Sequence, residues 1–160
     1  MPLKHSVLKL FALSLVISLA SCANIPLKGG TNERREKVYL TLEKEIQKSI
    51  QDFSRNQDIQ NEEGKISYLL YRVQKSKIVF MRNGTQYTNQ EAAEFLRWKL
   101  NRPRWRPLVK TAKDFVNLIT KGSVTSGEPY HAIFPNDEHR DLGAIMSNEL
   151  DFLETHPPQQ

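Results

Sequence analysis

Lys77 to Leu100 reads KIVFMRNGTQYTNQEAAEFLRWKL, and within it the residue pattern changes from that of a strand to that of a helix. Ile78, Val79 and Phe80 are β-branched or aromatic residues that suit a pleated, half-buried surface. Asn83-Gly84 supplies the two positive-φ residues that a tight hairpin turn needs, so the chain is expected to return through Gln86-Tyr87. Thr88 and Glu91 then stand at the spacing of a capping box, in which hydroxyl and carboxylate satisfy the first free N–H groups of a helix. Ala92, Phe95, Leu96 and Leu100 follow on one helical face. A hairpin feeding directly into a capped helix marks an α+β chain.

The flanking segments extend that reading. Tyr39, Leu42, Ile46, Ile50 and Phe53 recur at three- and four-residue steps, which predicts one long helix from Glu33 to Phe53, with Glu33 and Lys37 ordered for a supporting ion pair. After a polar break at 54–61, Ile66, Leu69, Leu70 and Val73 repeat the pattern. Downstream, Pro103 and Pro107 stop the capped helix and are expected to keep the following segment an extended loop. Thr111 and Asp114 open another helix with the stripe Ala112, Phe115, Val116 and Ile119, and Gly122 is placed to end it. Pro129 to Phe134 (PYHAIF) reads as a third strand. A last helix over Asp141 to Leu153 carries Leu142, Ile145, Met146, Leu150 and Leu153 on one side. The expected architecture is α+β, with about five helices packed around a small, mainly antiparallel sheet of about three strands. The globular domain is assigned to residues 33–155 and a frayed tail to 156–160.

Residues 1–21 have a different character. Lys4, His5 and Lys9 form a basic leader, Leu10 to Leu19 (LFALSLVISL) an apolar core, and Leu19-Ala20-Ser21-Cys22 a small-residue exit, the three-part pattern of a secretion signal. The apolar run is too short to cross a bilayer, which needs about 20 residues. The tetrad resembles the lipobox of bacterial lipoproteins, in which cleavage between the positions of Ser21 and Cys22 leaves an acylated cysteine as the first residue. Cys22 is the single cysteine of the chain, so it has no partner for the disulfide that exported proteins otherwise form. Ala23 in place of an aspartate resembles the outer-membrane sorting pattern. Several acyl chains together anchor stably where one binds only marginally. Ala23 to Asn32 (ANIPLKGGTN) shows no apolar periodicity and reads, with Cys22, as a flexible tether. The implied address is the periplasmic side of a bacterial membrane, with the outer membrane favoured.

The chain has 160 residues, 39% hydrophobic and 26% charged, a balance that suits one soluble domain and calls for no second. Its 23 basic and 18 acidic residues give a net charge of +5. Removing the signal takes Lys4 and Lys9 with it, and the remaining excess is too small to name a partner. The distribution says more. Arg97, Lys99, Arg102, Arg104, Arg106, Lys110 and Lys113 fall between Leu96 and Lys113 without one acid, a local asymmetry that asks for an anionic partner.

Several motifs resemble a family of small exported bacterial proteins classified as a domain of unknown function. They are Leu69-Leu70, Ser76, Phe80-Met81-Arg82-Asn83-Gly84, Tyr87, Glu91-Ala92-Ala93, Leu96 and Lys99, then Thr111-Ala112-Lys113-Asp114-Phe115-Val116 and Ser126-Gly127-Glu128-Pro129-Tyr130. The resemblance covers Glu62 to about Ile133 and rests on the order and spacing of these short words. The chain departs from the family pattern at Phe95, where the family carries a histidine, and in a less serine-rich approach to Ser126-Gly127. The resemblance implies no activity, cofactor or catalytic residue.

The candidate binding residues are Arg97, Trp98, Arg102, Arg104, Trp105, Arg106 and Lys110, because arginines interleaved with tryptophans hold phosphate, sugar or acidic protein by charge-assisted bonds and stacking. The alternative is that Trp98 packs on the core while the cations are merely solvated. Nucleic acid suits this chemistry but not the compartment; an envelope protein, an anionic glycan or a lipid head group suits both. Arg82 is a weaker candidate, since turn geometry alone explains Asn83-Gly84. No cofactor is implied. His131, Asp137, Glu138 and His139 match no standard zinc spacing and read as a loop of solvated charges, so no metal is expected. Ser123 to Tyr130 (SVTSGEPY) lacks the nucleophile elbow and the phosphate-loop lysine. The expected role is therefore a non-enzymatic binding or accessory module of the envelope. The alternative is an envelope hydrolase using Ser126 or Asp114 with His131.

Overall fold

A computed structural model describes residues 26–158. The expected signal and lipidation positions, Ser21 and Cys22 included, lie outside the described residues, as do Gln159 and Gln160. The elements run α1 Glu43–Ser54, α2 Glu62–Lys75, β1 Val79–Arg82, β2 Thr85–Tyr87, α3 Asn89–Leu100, α4 Ala112–Asp114 continuing as a π-helix over Phe115–Thr120, β3 His131–Ile133, β4 His139–Asp141 and α5 Leu142–Thr155. The fold is α+β, with four antiparallel strands in the order β2-β1-β3-β4.

The hairpin forms as its turn chemistry dictates. Asn83 and Gly84 take φ of 49° and 75°, and Phe80, Met81 and Arg82 face Tyr87, Gln86 and Thr85 in register. The capping box at Thr88 and Glu91 is complete. The sheet face bearing Phe80 and Ala132 joins the main core with Leu69, Leu70 and Val73 of α2, Leu96 of α3, Phe115 and Ile119 of the π-helix, and Ile145 and Met146 of α5. A smaller cluster joins Ile46 and Ile50 of α1 to Tyr68, Phe152 and Leu153. Among the described residues no helix is long and apolar enough to cross a membrane.

Several expectations need correction. The long first helix begins only at Glu43, because the preceding N–H groups have other acceptors. Asn32 Oδ1 accepts from the N–H groups of Arg34 and Glu36, Val38 N–H donates to Gly30 O, and Leu40 N–H donates to the Glu149 carboxylate. Side-chain acceptors of this kind compete directly with helix. Lys37 accordingly pairs with Asp151 at 3.0 Å and not with Glu33.

The sheet has a fourth strand, β4, whose sequence His-Arg-Asp carries no apolar signal. Arg140 is 4% exposed because its guanidinium donates to the carbonyls of Gly29 and Thr31, both at 2.7 Å. Those contacts also seat residues 28–32, read above as tether, against the domain. Lys28 N–H donates to His139 O and Asp141 N–H to Lys28 O. Residues 102–109 are not extended: Trp105 and Arg106 N–H donate to Arg102 O, and Leu108 and Val109 N–H to Trp105 O, winding the segment into successive turns. The helix opened by Thr111 and Asp114 is α for one turn and π thereafter. Finally, His139 is buried on a strand and Glu138 forms ion pairs with Lys28 and Arg140, so these are not solvated loop charges.

Candidate functional site

The cationic segment is organised by α3. Phe95, Trp98 and Arg102 lie at i, i+3 and i+7, so they share one face of the helix and its exit. Trp98 is 55% exposed; it does not pack into the core. Its ring lies 5.7 Å from that of Phe95, and the Arg102 guanidinium stacks over it at 4.9 Å. On the other side of Phe95, the Arg82 guanidinium lies 4.6 Å from the ring. Arg82, Phe95, Trp98 and Arg102 thus form one continuous stack of planar groups with a guanidinium at each end. The i, i+3, i+7 spacing could have revealed three of the four; Arg82 joins only through the placement of the hairpin on α3.

A second branch runs inward. Arg104 stacks on Trp105 at 5.1 Å, and the other neighbour of Trp105 is the Lys99 ammonium at 5.4 Å. Lys99, one of the seven cations of the acid-free run, is buried. It donates to the carbonyls of Ile119 and Gly122, both at 2.8 Å, and to Tyr130 Oη at 3.3 Å. Burial first, and then the charge of Arg82, push its pKa down to about 8. Burial likewise raises the Tyr130 phenol, with Arg82 opposing. Arg82 Nε is buried without an acceptor among the described residues, so part of its hydrogen-bonding capacity is unspent.

The remaining candidates border a third surface. Arg97, Arg106 and Lys110 line an open groove of about 540 Å³ against Ile66, Ser67 and Leu70 of α2, with Glu63 at its rim. Among the described residues none of Arg97, Arg102, Arg104, Arg106, Lys110 and Lys113 makes a salt bridge. Guanidinium groups left without carboxylate partners and held by aromatic faces are preorganised for an external anion.

The hydrolase reading finds its groups engaged elsewhere. Ser126 Oγ donates to Asn83 Oδ1 at 2.8 Å, tying the hairpin turn to the 123–130 loop. The Asp114 carboxylate accepts from the N–H groups of Lys110 and Thr111 as a helix cap. His131 Nδ1 faces His139 Nδ1 at 3.2 Å, and burial, then His139, lower the His131 pKa. Among the described residues no group of three or more histidine, cysteine, aspartate or glutamate side chains is placed to hold a metal ion.

A family model described as a family of unknown function (DUF5329) matches residues 60–154, well over half of the chain. An uncharacterized protein, YfeK, of Salmonella typhimurium (strain LT2) is 35% identical over 71 residues, a match covering 44% of this chain and 58% of the relative. The chain therefore spans less than two thirds of that relative's length. No solved structure matches. The matched region takes in the hairpin, α3, the cationic turns and the 123–130 loop, which carry the stacked cations and the Asn83–Ser126 and Lys99–Tyr130 contacts.

Proposed function

The chain belongs to the DUF5329 family of unknown function, and from that premise we propose that it is a lipid-anchored, non-enzymatic binding module of the cell envelope, recognising an anionic partner through its stacked cations. The observation that carries this reading is the Arg82–Phe95–Trp98–Arg102 stack. Two guanidinium groups are oriented by rings and lack acidic neighbours, which lowers the ordering cost of gripping a carboxylate, sulfate or phosphate. Arg104 on Trp105 extends the surface, and Arg97, Arg106 and Lys110 continue it round the groove beside α2. An acidic face of an envelope protein, an anionic glycan and a lipid head group all offer the required charge. Anchoring is assigned to acylation at Cys22, on the periplasmic side and with the outer membrane favoured, on the strength of the Leu19-Ala20-Ser21-Cys22 tetrad.

The test is capture from crosslinked, detergent-solubilised envelopes, comparing the native chain with Arg102→Glu/Arg104→Glu/Arg106→Glu. Binding of purified protein to anionic and zwitterionic vesicles and to acidic glycans is measured in parallel. The charge-reversed protein is expected to keep its fold by circular dichroism and to lose the ligand. Equal binding by the two proteins would remove the cationic surface from the account. Cys22→Ser should separately abolish acyl labelling and membrane retention; retention of the label would overturn the anchor assignment.

A further inference from the structure

The sheet has two faces of different chemistry. Phe80, Arg82 and Ala132 point towards α3 and the core. Met81, one residue on from Phe80, must point the opposite way, as the alternation of strand side chains requires. Met81 faces His131 in the β1–β3 register, and His139 lies two residues from the β4 partner of His131. Three side chains with soft or borderline donor atoms therefore share one face of three adjacent strands.

The imidazoles are already convergent. Their Nδ1 atoms are 3.2 Å apart, and the rings meet edge to face at 80°. Two nitrogen ligands at roughly 2.0–2.1 Å from one ion, with a near-tetrahedral angle between them, stand about 3.2–3.4 Å apart. The pair is thus at the separation a single ion imposes. Its position is rigid: both residues lie on paired strands, and His139 is buried while His131 and Met81 keep an open side. Without an ion, one Nδ1–H donates to the other Nδ1. Uptake of an ion needs only that the donating ring pass to its Nε2–H tautomer, leaving both Nδ1 lone pairs free and the charge of each imidazole unchanged.

We propose that His131 Nδ1 and His139 Nδ1 are ligands of a monovalent copper site on the outer face of the sheet, with the Met81 thioether as third donor. Donor chemistry selects the ion. Structural zinc asks for four imidazole, thiolate or carboxylate ligands in a closed tetrahedron, and no such group of three or more is found among the described residues. Two imidazoles and a thioether instead suit the softer monovalent copper ion. Spacing in the sequence hides the site, because Met81 is set opposite His131, and on the same face as His139, only through the pairing of β1 with β3 and β3 with β4. The site is independent of the cationic stack, which lies on the other face.

The test uses the full, untagged chain carrying Cys22→Ser, so that no thiol competes for the ion. Copper(I) is titrated anaerobically against bicinchoninate, and imidazole nitrogens are followed by ¹H–¹⁵N NMR. One equivalent should bind, shifting the Nδ1 signals of His131 and His139 and leaving His156 unmoved. His131→Gln and His139→Gln should each weaken binding by at least about tenfold, and Met81→Leu should weaken it measurably. Shifts spread over all histidines, or no competition with the chelator, would overturn the site. Unchanged affinity in Met81→Leu would overturn the three-donor assignment. The NMR readout needs no substitution on the sheet, so a variant that fails to fold leaves the test intact.

Discussion

Lys99 is a cation buried without a carboxylate: its three protons go to two carbonyls and a phenol oxygen. Burial first and Arg82 second lower its pKa from 10.5 to about 8. The unfolded chain, with the ordinary value, holds this proton more tightly. The stability associated with Lys99 is therefore fully present above the unfolded value, declines as the pH falls from there and is lost below about 8. The carbonyl acceptors favour the charged form and limit the effect to at most about 3 kcal/mol. Arg82→Gln removes the repelling charge, so Lys99 should titrate higher in that variant, with the Nζ resonance of Lys99 as the readout. An unchanged midpoint would show that Arg82 does not face Lys99 electrostatically. An anion bound at Arg82 should move Lys99 in the same direction, which makes this lysine a reporter for the proposed ligand. None of this was legible in the sequence, where Lys99 is one more positive charge in a basic run; its burial follows from its place on the inner face of α3 beside Leu96 and Leu100.

At the scale of the element, local chemistry was readable wherever it is self-contained. Asn83-Gly84, the Thr88–Glu91 box and the Thr111–Asp114 box depend on residues within four positions of one another, and all three form. Elements held from afar were not readable: β4 owes its burial to carbonyls more than a hundred positions upstream, and residues 33–42 lose their helix to Asn32 and Glu149. Gly64, inside α2, makes the same point in energetic form. Helix propensity alone says that Gly64→Ala should stabilise by about 1 kcal/mol. Yet a Cβ there would stand 1.6 Å from the carbonyl oxygen of Asp58, which is backbone and cannot rotate away. The variant should instead lose about 1–3 kcal/mol through overpacking, read by urea denaturation. A stabilised variant would mean that the turn ending at Ile59 does not close on α2.

Across the whole molecule, one buried carboxylate joins four segments at a single point, where the other polar contacts between them link two at a time. Glu149 of α5 is fully buried. It accepts from Arg72 Nε at 2.8 Å and Nη2 at 3.2 Å, and from Leu40 N–H at 2.8 Å. Arg72 spends its other donors on Thr41 and Ser49, so the non-helical strap of residues 37–41 ahead of α1, α1 itself, α2 and α5 close around a single ion pair. Such a pair contributes little net free energy over an apolar equivalent, because both charges have been taken out of water; removing one partner is what costs, by about 3–5 kcal/mol. Glu149→Leu should accordingly destabilise strongly, since it strands the Arg72 charge and the Leu40 N–H together. Adding Arg72→Met should recover most of the loss, because the stranded charge disappears with it. A double-mutant cycle by chemical denaturation measures both effects. If the double variant were less stable than Glu149→Leu alone, the pair would not be the coupled junction its geometry implies. The same cycle locates the strap: amide exchange at residues 37–41 should quicken in Glu149→Leu and stay quick in the double variant, since Leu40 N–H loses its acceptor in both.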